Sequence, residues 1–158
     1  MSVALVVGLA SVVIPLASAD THAPAAAPVE GPEYLNEDPA TTAPYSDAVR
    51  VGSTLYLAGN LGLDADGNLV PGGITPEAEQ TMENLEHVLE VHGSSLERVA
   101  ACEVMLADIA ERDAFNEVYT KYFDQGRFPA RHAFGVTGLY LDARVEVSCI
   151  AVVNERPT

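Results

Sequence analysis

The stretch Phe128-Pro-Ala-Arg-His-Ala-Phe-Gly-Val-Thr137, followed after a loop by Arg144-Val-Glu-Val-Ser-Cys-Ile-Ala-Val-Val153, decides the fold. Both runs alternate in character with the period of a strand. In the second, Val145, Val147, Cys149 and Ala151 share an apolar face, and Arg144, Glu146 and Ser148 share a polar one. In the first, Arg131 is followed on its own face by Ala133, Gly135 and Thr137, small residues that leave room above the sheet. Read as a hairpin turning near Gly138-Leu139, the strands place Arg131 opposite Glu146 on one face, close enough for their side chains to meet.

Working back along the chain, Glu111–Phe123 carries Phe115, Val118, Tyr119, Tyr122 and Phe123 at i, i+3, i+4, i+7 and i+8, the apolar stripe of a helix. Val99–Leu106 reads as a strand. Before it, Thr75 caps a helix with Pro76 at its first position. Glu77 and Glu79 sit in that first turn, where the helix dipole favours them. Ala78, Met82, Leu85 and Leu89 form its inner face, and Gly93 ends it. Residues 47–59 read as a hairpin turning at Gly52-Ser53. The order β-β-α-β-α-β-β predicts an α+β fold, one mixed sheet with both helices packed on one face. The other face then needs a cover, and in so small a protein another subunit supplies it.

The chain has 158 residues, which fits one domain, with 23 acidic residues against one Lys and seven Arg and a net charge of −15. Such a field repels phosphate backbones, so nucleic acid is excluded as a partner. Residues 2–19 are uncharged, mostly Val, Leu, Ala and Ile, and end in Ala17-Ser18-Ala19. They read as a signal peptide over residues 1–19, although no Lys or Arg precedes Arg50. An Ala- and Pro-rich linker follows over 20–32, and the folded domain runs from 33 to 158. The expected destination is the periplasm or the exterior, with no membrane attachment once the leader is removed. Cys102 and Cys149 each lie in an apolar segment and are expected to be buried free thiols, while an oxidising compartment would let them pair. There is no CxxC, no HExxH and no His/Cys cluster. Neither a metal nor an organic cofactor is expected.

Arg131 and Glu146 are the residues best suited to chemistry. An Arg fork holds a planar carboxylate by two parallel hydrogen bonds, and a neighbouring carboxylate can position and activate a water. The same pair reads equally as a plain cross-strand salt bridge. Tyr45, after Pro44, is a pocket wall or an aromatic cap at a strand start. Gly59 ends a strand where a ligand's close approach, or only a turn, needs a glycine. Asn116 lies off the apolar stripe, facing either a site or solvent. His132 points away from Arg131 by alternation.

Six ordered strings then acquire a common meaning. Ala43-Pro-Tyr-Ser-Asp-Ala-Val49, Leu55-Tyr-Leu-Ala-Gly-Asn60, Thr81-Met-Glu-Asn-Leu85, Phe115-Asn-Glu-Val-Tyr119, Phe128-Pro-Ala-Arg131 and Arg144-Val-Glu-Val147 resemble the RidA/YjgF reactive-intermediate deaminase family. The resemblance spans roughly residues 33–153. It implies a chorismate-mutase-like fold, a homotrimer with ligand clefts between subunits, and cofactor-free hydrolysis of imines and enamines such as 2-aminoacrylate to 2-oxo acids and ammonia. It assigns Arg131 to the substrate carboxylate and Glu146 to the attacking water, with Tyr45, Gly59 and Asn116 in the pocket. Two positions depart from it. Ala58 stands where such deaminases carry a serine, and Ala133 where their archetypes carry a cysteine. These two alanines keep a second reading open, a non-catalytic protein that binds small carboxylates or 2-oxo acids in the same cleft. A ribonuclease reading conflicts with the acidic charge.

Overall fold

The computed structural model describes residues 31–153. The leader and all but the last two residues of the linker lie outside them. Among the described residues no helix is long and apolar enough to cross a membrane.

Seven strands form one sheet: β1 (Glu33–Leu35), β2 (Ala48–Val51), β3 (Thr54–Leu57), β4 (Asn60–Leu61), β5 (Val99–Leu106), β6 (Ala130–Gly135) and β7 (Val145–Val152). Helix α1 (Ile74–Val91) lies between β4 and β5, and α2 (Arg112–Tyr119) between β5 and β6. The spatial order is β1-β2-β3-β7-β5-β6, with β4 also paired to β7. All pairs are antiparallel except β5 with β6.

The predicted hairpin of the last two strands is wrong. β5, α2 and β6 form a crossover unit, in which parallel strands are joined by a helix. That unit sets β6 at the sheet edge beside β5, and β7 takes the other side of β5. Arg131 is in register with Cys102, which is in register with Cys149; Glu146 is opposite Met105. Residues in register share a face, so Arg131 points to the helix side with Cys149. Glu146, an odd number of residues from Cys149 on β7, points to the other side.

Cys102 and Cys149 are bonded to each other rather than free. Their strands are sequence-distant but adjacent, and the register sets the two residues face to face. Without that register nothing in the local sequence could pair them.

Both helices cover one face, as the layer argument predicts. Leu55, Met82, Leu85, Leu89, Val104, Leu106, Phe115, Val118, Val145 and Val147 are fully buried between them and the sheet. The opposite face leaves Tyr56, Phe134, Ile150 and Val152 exposed. Helix α1 starts earlier than expected: Gly73, at φ 92°, is its cap, so Thr75 and Pro76 already lie within the first turn. Glu77 is not the solvated dipole partner the sequence suggests. It is 4% exposed, and its Oε1 accepts hydrogen bonds from the backbone N–H groups of Arg144 and Val145, at 2.6 and 3.3 Å. A carboxylate on the helix thus fixes the entry to β7. The Thr81-Met-Glu-Asn-Leu85 string has a similar task. Buried Thr81 donates its hydroxyl to the Glu77 carbonyl, and Asn84 Nδ2 donates to the carbonyls of Leu61 and Leu63. These bonds tie α1 to the segment that leads from β4.

Candidate active site

Arg131 is the second residue of β6, which Phe128 and Pro129 lead into. Its Nη2 donates to Asn116 Oδ1 on α2 at 2.6 Å. The guanidinium lies 4.5 Å from the ring centroid of Tyr119 and 5.8 Å from that of Phe115. Asn116 is therefore a site residue, not a solvated amide, and α2 orients the fork with one acceptor and two ring faces. Burial raises the Tyr119 hydroxyl pKa, and the Arg131 charge opposes the shift. Arg131 makes no ion pair with a carboxylate among the described residues, so the salt-bridge reading of Arg131 with Glu146 fails. Ala133, on the same face as Arg131, packs against the core.

Glu146 belongs to a different constellation. β3 and β4 both pair with β7, but three residues separate Tyr56 from Asn60 while only two separate their partners Ile150 and Val147. The extra residue makes a bulge at Ala58-Gly59, a device that re-aims chain beside functional sites. A Cβ on Gly59 would lie 1.8 Å from Glu146 Oε1 and 2.7 Å from its carboxyl carbon. Glycine at 59 is thus the space in which the Glu146 carboxylate sits. Burial raises the pKa of Glu146 above the ordinary glutamate value, which makes it a better base at neutral pH.

A cavity of about 670 Å³ opens around this carboxylate, lined by Ala43, Pro44, Tyr45, Ala58, Gly59, Leu61, Tyr140 and Glu146. Tyr45 is held on a pinned loop. Asp47 Oδ2 accepts from Glu37 N–H, its own N–H donates to Asn36 Oδ1, and its carbonyl accepts from Ala58 N–H. Among the described residues no cluster of His, Cys, Asp and Glu is arranged to hold a metal ion.

The predicted residues therefore fall into two groups. Tyr45, Ala58, Gly59 and Glu146 meet at one cavity; Arg131, Asn116 and Ala133 meet at the edge strand under α2. The groups lie on opposite sheet faces. Two strand spacings and three residues along β5 separate Arg131 from Glu146, roughly 14 Å. One small molecule cannot touch both within one chain. Sequence reading missed Tyr140, Leu61 and the Tyr119 ring under Arg131, and gave Glu77 only the role of a helix-start acid. Tyr140 sits in a loop without pattern, and Tyr119 reads as ordinary helix stripe, so neither carries a local signal.

The sequence pattern of the family described as Endoribonuclease L-PSP matches residues 35–153. The chain is 46% identical over 115 residues to a goat (Capra hircus) protein named 2-iminobutanoate/2-iminopropanoate deaminase, covering 72% of this chain and 83% of the relative. Among solved structures it resembles the yeast protein YEO7, with a TM-score of 0.73 and 36% identity, covering 78% of this chain and all of that one. It also resembles RidA from the Antarctic bacterium Psychrobacter, with a TM-score of 0.67 and 35% identity, covering 73% and 93% of the two chains.

Proposed function

The chain belongs to the Endoribonuclease L-PSP family, which includes the RidA/YjgF deaminases, and from that premise we propose that it hydrolyses reactive imines and enamines of amino acids to 2-oxo acids and ammonia. The observation that carries the reading is the pairing of an unneutralised Arg131 fork with a desolvated Glu146 carboxylate, each prepared on its own surface. A second copy brings the two together. We take the assembly to be a homotrimer, with Arg131 and Asn116 of one subunit facing Tyr45, Gly59 and Glu146 of the next. The apolar side chains exposed on the open sheet face favour such an assembly.

In this cleft Arg131 takes the substrate carboxylate by two charge-assisted hydrogen bonds. Glu146 accepts a proton from a water whose oxygen bonds to the imine carbon, the C=N π electrons pass to nitrogen, and Glu146 returns the proton to that nitrogen. The resulting carbinolamine gives its hydroxyl proton to Glu146, which passes it to nitrogen as the C–N bond breaks and the C=O bond forms, releasing ammonia and the 2-oxo acid. An enamine such as 2-aminoacrylate enters after tautomerising to its imine. Ala58 supplies no hydroxyl to the intermediate; one lost neutral hydrogen bond costs about 1 kcal/mol, which slows the reaction without abolishing it. The net charge of −15 argues against an RNA substrate.

The test is release of 2-oxo acid from enzymatically generated 2-aminoacrylate, faster than in buffer. No acceleration, with 2-oxo acids still bound, would leave the non-catalytic carboxylate-binding reading. The same assay has a pH signature. Glu146 must be ionised to act as base, so the rate falls as pH drops through its raised pKa. The acid limb therefore lies above 4.5, the ordinary glutamate value; a limb at or below it contradicts the assignment. Gly59→Ala gives a second signature. The new methyl displaces only the flexible end of Glu146, so Tm shifts by no more than a few degrees while kcat/KM falls by roughly tenfold or more.

Export is part of the proposal. The apolar leader over residues 1–19 and the Cys102–Cys149 bond support it independently, since such bonds persist in oxidising compartments.

A further inference from the structure

Within one copy the Glu146 cavity is an open half-site of about 670 Å³, which in the proposed trimer the neighbouring subunit's Arg131 and Asn116 face. Its walls are mainly apolar, and Glu146 is the only carboxylate among them. No lining residue of the same copy is cationic, and the neighbour's Arg131 is taken by the substrate carboxylate, so an acidic substrate side chain finds no counter-ion there. Two tyrosines flank the carboxylate, Tyr45 at 65% exposure and Tyr140 at 71%. Large aromatic rings left open beside a reactive group are the usual anchors of a ligand's apolar part.

The backbone at Tyr140 is firmly held. Leu141 and Asp142, which follow it, both adopt left-handed conformations, at φ 58° and 59°. Both carry a Cβ, for which that region is unfavourable. The turn is held nonetheless. Asp142 N–H donates to the Leu139 carbonyl and Ala143 N–H to the Tyr140 carbonyl. Ala143 is fully buried, and the Glu77 carboxylate grips the next two N–H groups. Backbone strain so firmly enforced belongs at a site with a use. Here it fixes the backbone that carries Tyr140, a residue of the cavity wall.

We propose that Tyr140 is a specificity-determining residue, and that it selects imines bearing a large apolar side chain, aromatic or branched aliphatic, over those of alanine size. The claim rests on the deaminase reading and adds the substrate class to it. Imines are generated in the assay from L-phenylalanine, L-leucine and L-alanine by an amino-acid oxidase. In the wild type kcat/KM for the phenylalanine- and leucine-derived imines exceeds that for the alanine-derived one by about tenfold or more. Tyr140→Ala cuts that ratio by about tenfold, and Tyr140→Phe keeps it. A loop that merely misfolds would lower all three together and leave the ratio unchanged. A wild type that prefers the alanine-derived imine, or a Tyr140→Ala ratio within about twofold of wild type, overturns the proposal. Should no imine be turned over, the deaminase reading fails by itself. Tyr140 is then judged by calorimetry with phenylpyruvate against pyruvate: tighter phenylpyruvate binding that Tyr140→Ala abolishes upholds it, and equal affinities overturn it.

Discussion

Arg131→Ala yields a folded protein that turns over imines roughly a thousandfold more slowly than the wild type. Two charge-assisted hydrogen bonds to the substrate carboxylate are lost, each worth about 1.5–3 kcal/mol. At about 1.4 kcal/mol per factor of ten their sum spans roughly 10²–10⁴ in kcat/KM. Stability suffers little, because Arg131 gives up one hydrogen bond to Asn116 and its place over the Tyr119 ring. Arg131→Lys keeps the charge and loses the fork, so it restores only a small part of the rate. Glu146→Gln is inactive for a separate reason, since it cannot take the proton from water. Because the two side chains are prepared on opposite faces of one chain, the two variants complement each other. Co-expressed in equal amounts and assorting at random, they form roughly a quarter of their sites with both residues intact, and activity returns to about that fraction. A mixture as dead as its parents would place both residues in a site within one chain, or remove one of them from the reaction.

The second large effect is on stability. Cys102 and Cys149 close a loop of 47 residues. Tying off a loop of that length removes chain entropy worth about 4 kcal/mol from the unfolded state. Replacing both cysteines by alanine therefore lowers the unfolding free energy by about that amount and Tm by roughly 10–20 °C. Wild type treated with reductant under denaturing conditions and refolded with its thiols blocked shows the same loss. Equal melting temperatures for the variant and the wild type would mean that the bond does not form in the protein. Activity in the variant at low temperature should be near normal, because neither sulfur faces the Glu146 cavity.

The fold was legible wherever a period was local. The stripe Ala78, Met82, Leu85 and Leu89, the stripe Phe115, Val118 and Tyr119, and the alternation of Val145 through Ala151 each announce their element and its buried face. What no period contains is which strand lies beside which. Adjacency in the chain suggests a hairpin of β6 and β7. The crossover through α2 set β5 between them, and that single change moved Glu146 away from Arg131, put Cys102 opposite Cys149, and split the site in two. β4 was invisible because two residues carry no period of their own; they are held by pairing with β7 and by Asn84 from α1 on the Leu61 carbonyl. Glu77 reads as a helix-start acid from its position alone; only the tertiary fold shows what it binds. Of the site, the residue identities could be read through the resemblance, while their division between two surfaces could not.

That division sets a condition on where the protein can work. Within one copy Arg131 and Glu146 never meet, so on the proposed reading an isolated copy has no complete site. Specific activity then follows the law of mass action: on dilution below the dissociation constant, catalysis vanishes although every chain stays folded. A cytoplasmic protein can lean on its own abundance to remain above that threshold. A protein released to the outside is diluted at once and must hold its copies together by affinity alone. The uncovered Tyr56, Phe134, Ile150 and Val152 are the surface from which that affinity would come.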